Sequence, residues 1–163
     1  MMRVCVYPGG DVQVTVPHRA SRAAIDRFIA RSTAWILRAR EKSQNALMIR
    51  AERRAIGAYK TRARELALRH AVEYARHYGV AYKKIAIRAQ RKRWGSCSRT
   101  GNLSFNYKIA LLPRALAEYV IVHEICHLVH FNHSPVFWGL VEKTIPDYKE
   151  RRAQLHRLVF RFE

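Results

Sequence analysis

The stretch VIVHEICHLVHFNHSPVFW, residues 120–138, constrains this chain more than any other. It sets His123, Glu124, His127, His130 and His133 in and just beyond an otherwise apolar run. An apolar helical run belongs in a core, and a His-Glu-His cluster buried there without partners is costly to desolvate. His123 and His127 are four apart, about 6 Å along a helix and on one face, so their imidazoles can converge on one metal ion. Glu124, directly after the first, completes His-Glu-x-x-His. In that pattern the glutamate handles a proton and is not itself a ligand.

A catalytic zinc ion takes three protein ligands and keeps one position open. His130 shares the face of His127 on a continuing helix, but His123 to His130 would span about 10 Å of helix axis, too far for bonds near 2 Å. His133 is better placed. Asn132 favours a turn, and Ser134 with Pro135 reads as the cap and first residue of a new helix, so the chain can swing His133 back to the ion. Glu142, one helix further on, is the rival third ligand. The expected site is therefore Zn²⁺ on His123, His127 and His133 with Glu124 as general base; for His130, hydrogen bonding to a ligand, oxyanion help and packing are all open, with packing favoured and no role assigned.

The charge balance is extreme, with 31 Lys plus Arg against 12 Asp plus Glu. No acidic residue falls between Glu73 and Glu118, while Lys83, Lys84, Arg88, Arg91, Lys92, Arg93 and Arg99 all do. Such clustering beside Trp94, Phe105 and Tyr107 suits a phosphate backbone, and it suits a merely solvated basic surface equally well. Cys5, Cys97 and Cys126 are odd in number and contain no Cys-x-x-Cys pair, which argues against a disulfide framework or a thiolate zinc site. No apolar run is long enough to span a bilayer, and the alternating start MMRVCVYPGGDVQVTV does not read as a signal block. The expectation is a cytoplasmic protein without a membrane partner.

Along the chain, valines alternate around YPGGD as a hairpin with Gly9 and Gly10 in its turn. Helical periodicity runs over about 19–42 and again over about 51–78, with Gly79 as a stop. Short strands are expected at KIAIR, RWGSCS and LSFNYKIA, with RTGN as a turn between the last two. Helices follow at PRALAEYVIVHEICHLVH, VFWGLVEKTI and the basic DYKERRAQLHRLVF. The class is α+β, and with neither repeat nor long linker the expectation is one domain over 1–163.

KRWGSCSRTGNLSFNYKIALLP, followed by VIVHEICHLVHFNHSPVFWGLVEKTIPDYKERRAQL, resembles the YgjP-like metallopeptidase domain family, relatives of the SprT-like and WLM zinc proteases. The likeness is dense from about Lys84 to Leu155 and looser before it. It implies a compact zincin-like fold with a small sheet on the active-site helix, and zinc on the residues matching His123, His127 and His133. It further implies that LSFNYKIA lies near the cleft, where an edge strand would pair with an extended substrate. Leu103, Phe105 and Tyr107 are the substrate-contact candidates, and core packing explains them equally well. Trp94 and Trp138 read as core aromatics.

Three functions compete. The first is a metallopeptidase acting on a peptide or protein substrate, including proteins associated with DNA by analogy with the related proteases. The second, attached to YgjP-like proteins, is a UTP pyrophosphatase on the same metal site; against it, the chain has no acidic cluster for magnesium and no phosphate-binding Gly-rich loop. The third is a basic nucleic-acid-binding protein with structural zinc, although such sites usually have four ligands rich in cysteine.

Overall fold

The structure is a computed structural model that describes every residue except Pro8 and Gly9, together with the side chain of Lys42. The chain divides into two compact units, Met1–Met48 with Arg157–Val159, and Ile49–His156 with Phe160–Glu163.

In the first unit, strands β1 (Arg3–Val6) and β2 (Val12–Thr15) form the expected antiparallel hairpin, with Val6 opposite Val12. Gly10 takes a positive φ of 91°, a conformation that suits glycine. The turn role expected of Gly9 lies outside the described residues. Helix α1 (Arg22–Gln44) begins at Ser21, whose hydroxyl accepts a hydrogen bond from the Ala24 amide.

The second unit carries the core. Helix α2 (Ile56–His77) starts later than the periodicity suggests, because a strand, β3 (Leu47–Ala51), precedes it. The basic terminal helix is also shorter than expected: α5 spans Tyr148–Arg157, and the last residues form β7 (Leu158–Phe162). β3 and β7 make a two-stranded sheet. Its end is fixed where the Glu163 amide donates to the Ala51 carbonyl and the Arg53 amide donates to that of Glu163.

The three remaining strands are β4 (Lys84–Arg88), β5 (Gly95–Cys97) and β6 (Asn102–Asn106), in the order β4-β6-β5. β6 runs parallel to β4 and antiparallel to β5, joined to the latter by the expected Thr100–Gly101 turn. The chain must therefore cross from β4 past the end of β6 to reach β5. Asn106 holds that crossing: its buried side-chain amide donates to the carbonyls of Gln90 and Arg93 at 2.7 and 2.9 Å. LSFNYKIA is a strand only to Asn106; Tyr107–Leu111 is a short 3-10 helix.

Helix α3 (Arg114–Val129) is apolar around most of its circumference and is buried accordingly. Leu103, Phe105, Ile121 and Ile125 have no exposed surface, and each such side chain contributes about 1.5–3 kcal/mol on burial. Helix α4 (Pro135–Thr144) begins as the sequence suggests, the Ser134 hydroxyl accepting from the Phe137 amide with proline at the first turn. One polar network ties α2, α3 and α5 together. Tyr74 donates its hydroxyl proton to Glu118, and Arg151 reaches Glu118, Asp147 and the Ala115 carbonyl.

Candidate metal centre

The site grows from the end of α3. The helix stops at Val129, and His130 is already extended with φ −143° and ψ 115°. His130 therefore does not continue the ligands' helical face, as a longer helix would have had it. Four residues then turn the chain before Ser134 caps α4, and that reversal carries His133 back onto α3.

The donor atoms of His123, His127 and His133 all lie within 4.8 Å of one another. His123 Nε2 and His133 Nε2 are 3.1 Å apart. Two nitrogens bound at about 2.05 Å in tetrahedral geometry would sit about 3.3 Å apart, so this spacing matches a shared ion. His127 Nδ1 donates to the His130 carbonyl at 3.2 Å, which leaves its Nε2 lone pair free to bind. His130 thus has a structural job through its backbone. Glu142 is exposed on α4 and does not join the cluster.

Electrostatics favour the same use. Burial, then the neighbouring His127, His133 and Arg152, push His123 down to about 3, so it is neutral. Burial also lowers His127 and His133. Neutral imidazoles are the form a metal binds. Glu124, 6% exposed, is pushed up to about 8 by burial, with Arg93 pulling it back. A carboxyl poised near neutrality can both take and return a proton.

Two contacts that sequence reasoning missed shape the site. A Cβ on Gly95 would stand 2.6 Å from both Cγ and Oε1 of Glu124, so only glycine lets β5 approach the carboxylate this closely. Phe137, with no exposed surface, packs behind all three imidazoles. It stacks on His127 at 4.5 Å and meets His123 and His133 edge-on at 5.0 and 4.8 Å. Trp138 stacks on His133 and on Tyr148. The local signal for this packing is FW in the first turn after SP; the glycine contact has no local signal.

A cleft opens over the three histidines. Its larger lobe, about 550 Å³, is bounded by Trp94, Trp138 and Arg152, and its smaller one, about 300 Å³, by Ser96, Cys97 and Phe131. Arg93, Gly95, His123, Glu124 and His133 line both. Trp94 and Trp138 are half-buried cleft residues as well as packing residues. The expected substrate contacts are not here. β6 is paired on both sides over residues 103–105, and Leu103, Phe105 and Tyr107 are buried, so they are core. The strand bordering the cleft is β5, which was not expected in that role.

Family membership defines a class, the metal-dependent hydrolases, and the fold carries a histidine triad that could hold the metal. The family model of the YgjP-like metallopeptidase domain matches residues 42–158, and the chain belongs to that family. Among solved structures it is similar to the zymogen of abylysin, a metallopeptidase of Pyrococcus abyssi, at 22% identity and a TM-score of 0.50. That likeness covers 55% of this chain and 90% of the other, and it is a likeness of fold. No curated protein matches the chain. No described helix is long and apolar enough to cross a membrane.

Proposed function

We propose that the chain is a zinc-dependent peptidase in which His123, His127 and His133 hold the ion and Glu124 is the general base. The observation that carries this reading is the convergence of three neutral imidazoles beside a buried carboxyl that opens into the same cleft. Three nitrogen ligands and an open side suit a catalytic zinc rather than a closed structural one. When bound there, zinc supplies Lewis acidity toward a carbonyl oxygen and lowers the pKa of water.

The residues of the chain do the rest. Glu124 takes a proton from the water whose oxygen adds to the peptide carbonyl carbon, and passes it to the amine as the carbon–nitrogen bond breaks. Phe137 packs behind the imidazoles and Trp138 stacks on His133 from the cleft wall, so the ligands need little reorganisation. β5, with its outer edge along the cleft, offers backbone groups to an extended peptide, the strand-addition mode expected earlier of residues 103–109. Three free thiols suit a cytoplasmic setting, and we treat residues 1–163 as serving one active site.

The formal charge of +19 suits substrates held on nucleic acid as well as it suits a solvated surface, so the assay includes both kinds of substrate. Zinc-loaded wild type and Glu124→Gln are compared on casein, a DNA-bound protein and UTP. Cleavage of protein by wild type and its loss in the variant, with zinc retained, is the expected result. Hydrolysis of UTP alone would replace this reading with the nucleotide one.

A further inference from the structure

Resting on the peptidase reading, we propose that the larger lobe of the cleft is a carboxylate-recognition subsite, in which Arg93 and Arg152 select peptides bearing an acidic side chain or a terminal carboxylate next to the bond that is cut. Glu124 is the sole acidic residue lining that lobe, and it belongs to the reacting end. Arg93, Arg152 and His156 supply the remaining basic wall beside the histidines. Among the described residues, neither arginine has a carboxylate within ion-pairing distance.

The contrast with the adjacent arginine is informative. Arg151 is committed to Asp147 and Glu118, and so anchors α5. Arg152, one residue on, is left for the cavity. It is held over the Trp138 ring at 4.9 Å, and Trp138 is itself stacked on His133 and Tyr148. Arg93 is placed by its own backbone, whose carbonyl accepts from the buried Asn106 amide. The Arg152 guanidinium is therefore tethered to the metal centre's own framework, and Arg93 is anchored to it through its backbone while both side chains stay open to an incoming ligand.

Tyr119, Val120 and Leu155 make the rest of the wall partly apolar, which strengthens a charge-assisted contact within it. A guanidinium offers a planar fork of donors that matches a carboxylate. The smaller lobe has no cation besides the shared Arg93. Arg152 lines the larger lobe and not the smaller, so the preference that depends on it should appear on one side of the scissile bond.

The test uses the zinc-loaded full chain and matched peptides with Glu or Gln at each position flanking the cleaved bond, each with a free or an amidated C-terminus. At one position Glu should exceed Gln in kcat/KM by about ten- to a hundredfold, the range for a charge-assisted hydrogen bond. A preference that follows the free C-terminus instead assigns the subsite to the terminal carboxylate. Arg152→Gln should reduce the ratio to within a few-fold of one, and Arg152→Glu should turn it toward Lys. Arg69→Gln, on an exposed face of α2, should leave the ratio intact, which separates the subsite from general surface charge.

A ratio near one at every position and at both termini, or one that survives Arg152→Gln, overturns the proposal. If no peptide is cut, the peptidase reading fails instead. The subsite is then read from tryptophan fluorescence of Glu124→Gln titrated with the same peptides. Tighter binding of the carboxylate-bearing peptide that disappears with Arg152→Gln supports it, and equal binding overturns it.

Discussion

Helices α1 and α3 are opposites in every respect that matters for function. α1 has 23 residues, none of its described residues is buried, and it leaves Trp35 and Leu37 at least half exposed. α3 has 16 residues, ten of them buried, and it carries His123, Glu124 and His127. α1 is a basic helix with a half-buried face, tied to the hairpin through Arg40 and Ser43, and its outward-facing residues can change with little consequence. In α3 almost every side chain has a fixed neighbour, so polar groups there persist only if something satisfies them. The unusual residue is informative in the buried helix, where a histidine needs a reason, and uninformative in the exposed one.

The sharpest way to break this contrast is Glu124→Gln. It keeps shape while removing the group that takes the proton, and kcat on a peptide should fall about a hundred- to ten-thousandfold with zinc content unchanged. Retained turnover would show that α3 does not carry the general base. Gly95→Ala comes next. The added methyl must displace the Glu124 side chain, and a displacement near 1 Å should cost about a hundredfold in kcat/KM. Circular dichroism should show the fold retained, which makes this a misplacement and not an unfolding.

Ser134→Ala removes the cap that starts α4 and so loosens the return of His133. We expect about 1 kcal/mol of stability lost by denaturant titration, together with weaker zinc retention against a chelator. The smallest effect belongs to α1: Arg27→Gln with Arg31→Gln should shift stability by no more than about 0.5 kcal/mol. A larger change there would show that this helix is constrained by something besides solvent.

The parts of the site that could be read in the sequence are the local ones. Four-residue spacing, a helix stop after Val129 and a cap at Ser134 all follow from residues near one another, and they bring His133 to His123. The missed parts depend on distant chain. β3 and β7 were hidden because LMIRA and LVFRF adjoin helical patterns, and nothing near either reveals the other as its partner. β6 was expected at an edge because strand order depends on how the chain crosses from β4 to β5, which a buried Asn106 settles through backbone carbonyls. The closeness of Gly95 to Glu124 is likewise a property of the assembled sheet and helix.

The sharp reversal between α3 and α4 has a consequence for the life of the molecule. Because His133 lies past the end of the helix that supplies its two partners, a proposed ion would fasten two successive helices as a clasp. Each tenfold rise of free zinc above its dissociation constant would then add about 1.4 kcal/mol to the folded state. In zinc-poor conditions that contribution is lost, and the segment from His130 to Ser134 is held by the His127–His130 hydrogen bond and the Ser134 cap. Stability of the protein would thus track metal supply, and the pool of chain able to act would be set by the ions available.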